Sequence, residues 1–176
     1  DGEGLDVKIH DTYKNDEGDS VYVPEIVFSV VFSSSNYDNK DADLEKKEEE
    51  EDIEGKLWGG KHGIGIKATN IFSSEFELET VDSVRKKKYV QLFQDNMSEI
   101  FEPDITKCRG KSYTKVRFIP DYAKFGIDGL KGDILDLIKT RVYELAGNCT
   151  EELEIWLNDE IINIKSFEDY GSMYLG

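Results

Sequence analysis

Four glycines fall within seven residues, Gly59-Gly60-Lys61-His62-Gly63-Ile64-Gly65, directly ahead of Ile66-Lys67-Ala68-Thr69-Asn70-Ile71-Phe72, a segment able to form a helix. Backbone N–H groups reach phosphate oxygens only where side chains do not stand in the way, so a loop of this kind feeding a helix N-terminus is a candidate phosphate cradle. Lys67 falls just inside that helix, where its ammonium adds to the positive end of the helix dipole opposite a polyphosphate. The spacing is neither the P-loop pattern GxxxxGKS/T nor the dinucleotide pattern GxGxxG, and by itself the loop also reads as a glycine-rich turn without a ligand. Cys108 and Cys149 belong to no paired spacing, so neither a zinc site nor a disulfide framework is indicated, and a reducing compartment fits. His10 has no partner cluster and is assigned no chemistry.

Elements must position the loop. Leu5–His10 alternates apolar and polar residues after the turn-forming Asp1-Gly2-Glu3-Gly4, which predicts a strand. Val23 to Phe32 carries an apolar stripe at helical spacing, with Pro24 suited to a first turn, and Ser33 to Asn36 is too polar to continue it. Strands are predicted at Glu75–Thr80, Lys88–Gln94, Ser98–Glu102 and Tyr113–Ile119 as a meander. A helix is predicted over Ile134–Ala146 with Gly147 as its stop, then a strand pair, Glu152–Leu157 and Ile161–Ile164, turning at Asn158-Asp159. Strands grouped together with flanking helices predict an α+β two-layer sandwich, helices on one face of a mostly antiparallel sheet.

With 176 residues, one domain over 1–176 is the default, and no apolar run approaches the ~20 residues of a membrane span. Net charge is −16, which repels a phosphate backbone unless basic residues gather on one face, so contact with DNA is expected through other domains. Ten acids and three lysines between 38 and 54 make the 38–56 stretch an acidic insertion, read as a solvated loop. The chain opens on Asp rather than Met, which suggests a piece of a longer protein.

Three stretches in register carry a resemblance: Asp1-Gly2-Glu3-Gly4-Leu5, Ser34-Ser35-Asn36-Tyr37-Asp38, and Gly59 through Ser73. They resemble the GHKL (Bergerat-fold) ATPases and, within them, the ATP gate of the eukaryote-type (type IIA) DNA topoisomerases. Val21-Tyr22-Val23-Pro24-Glu25, Glu77-Leu78-Glu79-Thr80, Phe167 and Met173-Tyr174-Leu175 extend the resemblance over essentially the whole chain. It implies that Asp1 reads adenine, a carboxylate being suited to accept from the exocyclic amine, with Gly4 letting the base lie against the backbone. It also implies that Ser34, Ser35 and Asn36 contact ribose and phosphates, and that Lys61, His62, Gly63, Ile64, Gly65 and Lys67 wrap the triphosphate. A turn-capping Asp1 and a helix-capping Ser34–Asn36 are the plainer readings of the same residues. Lys61, His62, Ile64 and Ile66 depart from the eukaryotic pattern, which has Arg, Asn, Tyr and Ala there; His62 is similar to the bacterial gyrase loop.

ATP and Mg²⁺ are the implied cofactors, and a homodimeric gate in the nucleus, or in an infected-cell cytoplasm if viral, the implied setting. The family takes its general-base Glu and Mg²⁺-binding Asn from a helix ahead of the Asp-Gly-x-Gly motif, so no catalytic or metal residue is assigned in this chain. By itself the chain is expected to bind ATP weakly if at all, and not to hydrolyse it at a measurable rate. Other GHKL members (a chaperone, a MutL-like protein, a histidine kinase) and a non-hydrolysing interaction module with the same fold are the alternatives.

Overall fold

The computed structural model describes residues 4–31, 63–150 and 152–175. Its contacts divide the chain into two compact units, 1–125 and 126–176.

In the first unit a hairpin of β1 (Ile9–Lys14) and β2 (Ser20–Tyr22) leads straight into helix α1 (Val23–Ser29). Pro24 stands in the first turn of α1, as its fixed φ and missing N–H favour. The helix ends earlier than its apolar stripe suggests, because Val30 already adopts an extended conformation. Leu5 to Val7 is not part of the predicted strand: β1 begins at Ile9, and the preceding residues bond to side chains instead, as described below.

Helix α2 (Gly65–Ile71) runs into β3 (Ser73–Asp82), which is central to a sheet with β4 (Lys87–Gln94), β5 (Glu99–Ile100), β6 (Asp104–Lys107) and β7 (Tyr113–Pro120). The order is β5-β4-β3-β7, β6 also pairs with β4, and every pairing is antiparallel. The predicted meander therefore holds only through β5, since β7 crosses to the far side of β3. Strand β6 escapes the sequence because Asp104–Lys107 is too short and polar to show alternation.

Register explains the layers. Phe93, Phe76 and Phe118 lie side by side across β4, β3 and β7, and so do Gln91, Leu78 and Val116, then Tyr89, Thr80 and Thr114. Because strand side chains alternate, this face carries the core of Val7, Phe28, Phe76, Leu78, Tyr89 and Phe93, while Glu75, Glu77 and Glu79 point the other way. Val27 and Phe28 of α1 and Ile66 of α2 pack against that core, so both helices cover one face of the sheet, as the α+β sandwich requires. On the opposite face Arg117 pairs with Glu75 at 2.6 Å and Lys88 with Glu79 at 2.7 Å, cross-strand pairs that keep the wet side polar.

The second unit contains α3 (Asp133–Asn148), a two-residue-strand hairpin β8 (Trp156–Leu157) and β9 (Glu160–Ile161), and α4 (Phe167–Leu175). Asn158 and Asp159 take left-handed φ values of 49° and 66°, the turn that suits a tight hairpin. Gly147 lies inside α3 rather than after it: a Cβ there would come within 2.7 Å of the Tyr170 Cβ, so close approach of α4 is what selects glycine.

Candidate functional site

Of the predicted site residues, Gly4, Gly63, Ile64, Gly65 and Lys67 are described; Asp1, Ser34, Ser35, Asn36, Lys61 and His62 lie outside the described residues. Gly4 occupies the far end of β3 from α2. Its φ is +71°, and a Cβ at that position would stand 2.4 Å from the Val81 carbonyl oxygen, so only glycine lets this segment lie on the strand. The next residues are tied down by two β3 side chains. The Leu5 N–H donates to Thr80 Oγ1 at 3.1 Å, and the Val7 N–H to Asp82 Oδ2 at 2.9 Å.

Thr80 is wholly buried and its hydroxyl has one proton to give. That proton goes to the Tyr113 carbonyl at 2.9 Å, which leaves the Thr114 hydroxyl, 3.0 Å away, to donate to Thr80. Asp82 is 4% exposed. Burial pushes its carboxyl up, but hydrogen bonds from the backbone of Arg85 and of Val7 and from the Arg85 guanidinium outweigh that and hold it below the usual carboxylate range. Arg85 reaches Asp82 and Asp6 at 2.8 Å each, so one guanidinium clamps the incoming segment to the strand end.

The loop end is different in kind. Gly63 has φ +63°, and the first α2 hydrogen bond runs from Ala68 N–H to the Ile64 carbonyl at 2.8 Å, so the amides of Gly65 and Ile66 have no intrahelical acceptor. Among the described residues a Cβ at Gly65 would meet nothing within 4 Å, so packing against them does not explain glycine there. With seven residues α2 has a short dipole, so the amides and Lys67 carry more of any anion binding than the sequence suggests. Lys67 is 2% exposed, and burial lowers its ammonium below the ordinary lysine value.

Asn70, one turn on, is fully buried. Its amide donates to the Phe28 carbonyl of α1 at 3.2 Å, locking the two helices together, while its Oδ1 accepts no hydrogen bond among the described residues. Amides without an intrahelical acceptor, a glycine with no described neighbour over its α-carbon and a buried cation make a donor set that fits a polyphosphate. Among the described residues no group of three His, Cys, Asp or Glu could hold a metal ion.

Thr80, Asp82 and Asn70 were not singled out from the sequence. The signal for the first two was the break in the apolar run of β3's core face at Thr80 and the acid at the strand's end; for Asn70 it was an amide in the apolar stretch Ile66 to Phe72.

Comparison with known proteins decides what this arrangement belongs to. The DNA topoisomerase 2 of Penicillium chrysogenum is 41% identical over 173 residues, 98% of this chain, and that of Arabidopsis thaliana is 42% identical over 175 residues, 99% of this chain. The ATPase region of Saccharomyces cerevisiae topoisomerase II superposes with a TM-score of 0.81 at 39% identity, over 99% of this chain and 41% of that one. Over nearly its whole length this chain is similar to the ATPase region of topoisomerase II. No family model matches it. The ATPase and transducer domains of topoisomerase II from Balamuthia mandrillaris superpose with a TM-score of 0.80 at 36% identity, over 98% of this chain and 40% of that one. The chain spans 10% of the Penicillium relative and 11% of the Arabidopsis one. The α+β fold, with helices on one face of a mostly antiparallel sheet, is the fold of that ATPase region.

Proposed function

We propose that this chain is the nucleotide-binding part of an ATP-operated gate in a type II DNA topoisomerase, its two units forming parts of one ATPase domain over 1–176. The observation that carries the reading is the junction Gly63–Lys67, where amides without an intrahelical acceptor, a glycine with no described neighbour over its α-carbon and a buried lysine follow one another at the start of α2. In this reading Lys67 and the loop residues Lys61, His62, Gly63, Ile64 and Gly65 hold the triphosphate, Ser34, Ser35 and Asn36 contact ribose and phosphates, and Asp1 and Gly4 receive adenine. Thr80 and Asp82 act through Gly4, by fixing the backbone against which the base lies. Mg²⁺ arrives bound to the nucleotide's own phosphates, whose charge it offsets.

Bound and hydrolysed ATP supplies the free energy for closing and resetting a homodimeric gate around DNA, which the parent protein cuts through other domains, in the nucleus. The test is calorimetric titration of the chain with Mg·ATP. Lys67→Ala is expected to weaken binding by about 10- to 100-fold, the loss of one charge-assisted contact of ~1.5–3 kcal/mol. Equal affinities for the variant and the parent chain would overturn the assignment.

A further inference from the structure

Nine of the 22 lysines and arginines fall in two short stretches, 83–88 and 106–117, that contain no acid at all. In a chain of net charge −16 this is a sharp reversal of sign. The fold brings the two stretches together. Lys87 stands opposite Lys107 across β4 and β6, the Cys108 N–H donates to the Lys86 carbonyl at 2.9 Å, and the Ser83 N–H donates to Ser112 Oγ at 3.2 Å. The β3–β4 turn and the β6–β7 connection thus form one hydrogen-bonded lip at the end of the sheet. Four strands meet it, β6, β4, β3 and β7, so at a spacing of about 4.8 Å the lip is about 14 Å wide.

Some of these charges are used internally. Arg85 pairs with Asp6 and Asp82, Lys88 with Glu79, and Arg117 with Glu75 and Glu77. Lys86, Lys107, Arg109 and Lys111 are exposed and form no ion pair among the described residues. At ordinary salt, charges more than about 10 Å away are largely screened, so the local excess and not the net charge sets the potential an approaching anion meets.

We propose that this lip is a sequence-independent docking surface for the phosphate backbone of duplex DNA. A duplex presents about one charge per 1.7 Å of axis, so a lip of this width can engage about four phosphates with four cations. An acidic protein is the less suitable partner, because a protein interface needs a cluster of aromatic or aliphatic anchors, and of the large apolar residues in the two stretches only Val84 and Tyr113 are exposed. Arg85 belongs both to the lip and to the clamp on the Gly4 segment, whereas Lys86, Lys107, Arg109 and Lys111 belong neither to that clamp nor to the Gly63–Lys67 junction, so these four separate the inference from nucleotide binding.

Fluorescence anisotropy of a labelled duplex of about 20 base pairs, titrated with the 176-residue chain between about 50 and 200 mM salt, tests it. The expected plot of log affinity against log salt has a slope of about −3 to −4 for four neutralised phosphates. Replacing Lys86, Lys107, Arg109 and Lys111 together by Gln should lower affinity at least about tenfold at the low-salt end and remove most of the slope, with the ATP affinity unchanged. The charge-preserving set Lys86→Arg, Lys107→Arg and Lys111→Arg should keep both affinity and slope. No duplex binding by the parent chain would overturn the proposal. So would an equal loss in a control carrying Gln at Lys14, Lys124, Lys131 and Lys139, or displacement of the duplex by polyglutamate at equal charge concentration.

Discussion

The Val7 N–H donates to Asp82 Oδ2 at 2.9 Å, joining positions 75 apart in sequence at the end of the central strand. The bond has no partner in any backbone ladder, so the approach of the Gly4–Val7 segment to β3 rests on side chains. Asp82 carries the largest share, since it also anchors Arg85, which in turn reaches Asp6.

Asp82→Asn should therefore cost about 2–3 kcal/mol at neutral pH, the loss of charge-assisted bonds in a buried place. The sign of the pH dependence follows from the depressed carboxyl: its contribution is present above the ordinary Asp value of about 3.9 and is lost as pH falls below it toward the folded value. Urea unfolding at pH 7 and at about pH 3 checks this, with parent and variant converging at the acid end. A gap of the same size at both pH values would refute it.

Thr80→Val keeps the shape and removes the hydroxyl that serves the Leu5 N–H and the Tyr113 carbonyl. Two part-buried groups lose their partner, so a cost of about 1–3 kcal/mol is expected, against under about 1 kcal/mol for Thr80→Ser, which keeps the oxygen. Thermal unfolding of the two variants separates the hydroxyl from the methyl; similar midpoints would show that packing, not the bond, matters there.

Gly4→Ala adds a Cβ 2.4 Å from a carbonyl oxygen that belongs to a paired strand and cannot swing away. Gly18 also has a positive φ, but a Cβ there meets nothing within 4 Å, so Gly18→Ala isolates the backbone strain alone. Gly4→Ala should lose more stability than Gly18→Ala by at least about 1 kcal/mol and weaken Mg·ATP binding, while Gly18→Ala leaves binding as it was. Identical denaturation midpoints for the two variants would mean that the Gly4 segment does not lie where the structure puts it.

The alternating pattern of β3, β4 and β7 and the apolar stripes of α1 and α3 were legible because each is long enough for its period to show. Pairing was not: nothing local tells β7 to cross β3 instead of extending the meander, since Val116 and Phe118 would serve either neighbour equally. Gly147 misled for a physical reason, because a glycine that stops a helix and one that admits a neighbouring chain are the same residue in sequence, and α4 was itself unread. At the site, the glycines and Lys67 are legible in the sequence as a candidate phosphate cradle. Thr80, Asp82 and Asn70 did not announce themselves, because their importance lies in bonds to residues 75, 75 and 42 positions away.

Lys67 gives the most discriminating prediction, since its protonation and its proposed role are coupled. Burial lowers its ammonium below the ordinary lysine value of about 10.4 in the free chain. A bound triphosphate favours the charged form, so it raises that value again, and in the pH window between the two Mg·ATP binding takes up a proton. Affinity is then constant at neutral pH and falls as pH rises into the window, at an alkalinity below that at which an exposed lysine would lose its charge. Titration calorimetry at several pH values, repeated in buffers of different ionisation enthalpy, reads both the fall and the proton uptake. Lys67→Gln, which cannot titrate, should bind more weakly throughout and show neither effect. A parent chain with the same pH profile as Lys67→Gln would remove Lys67 from the triphosphate site.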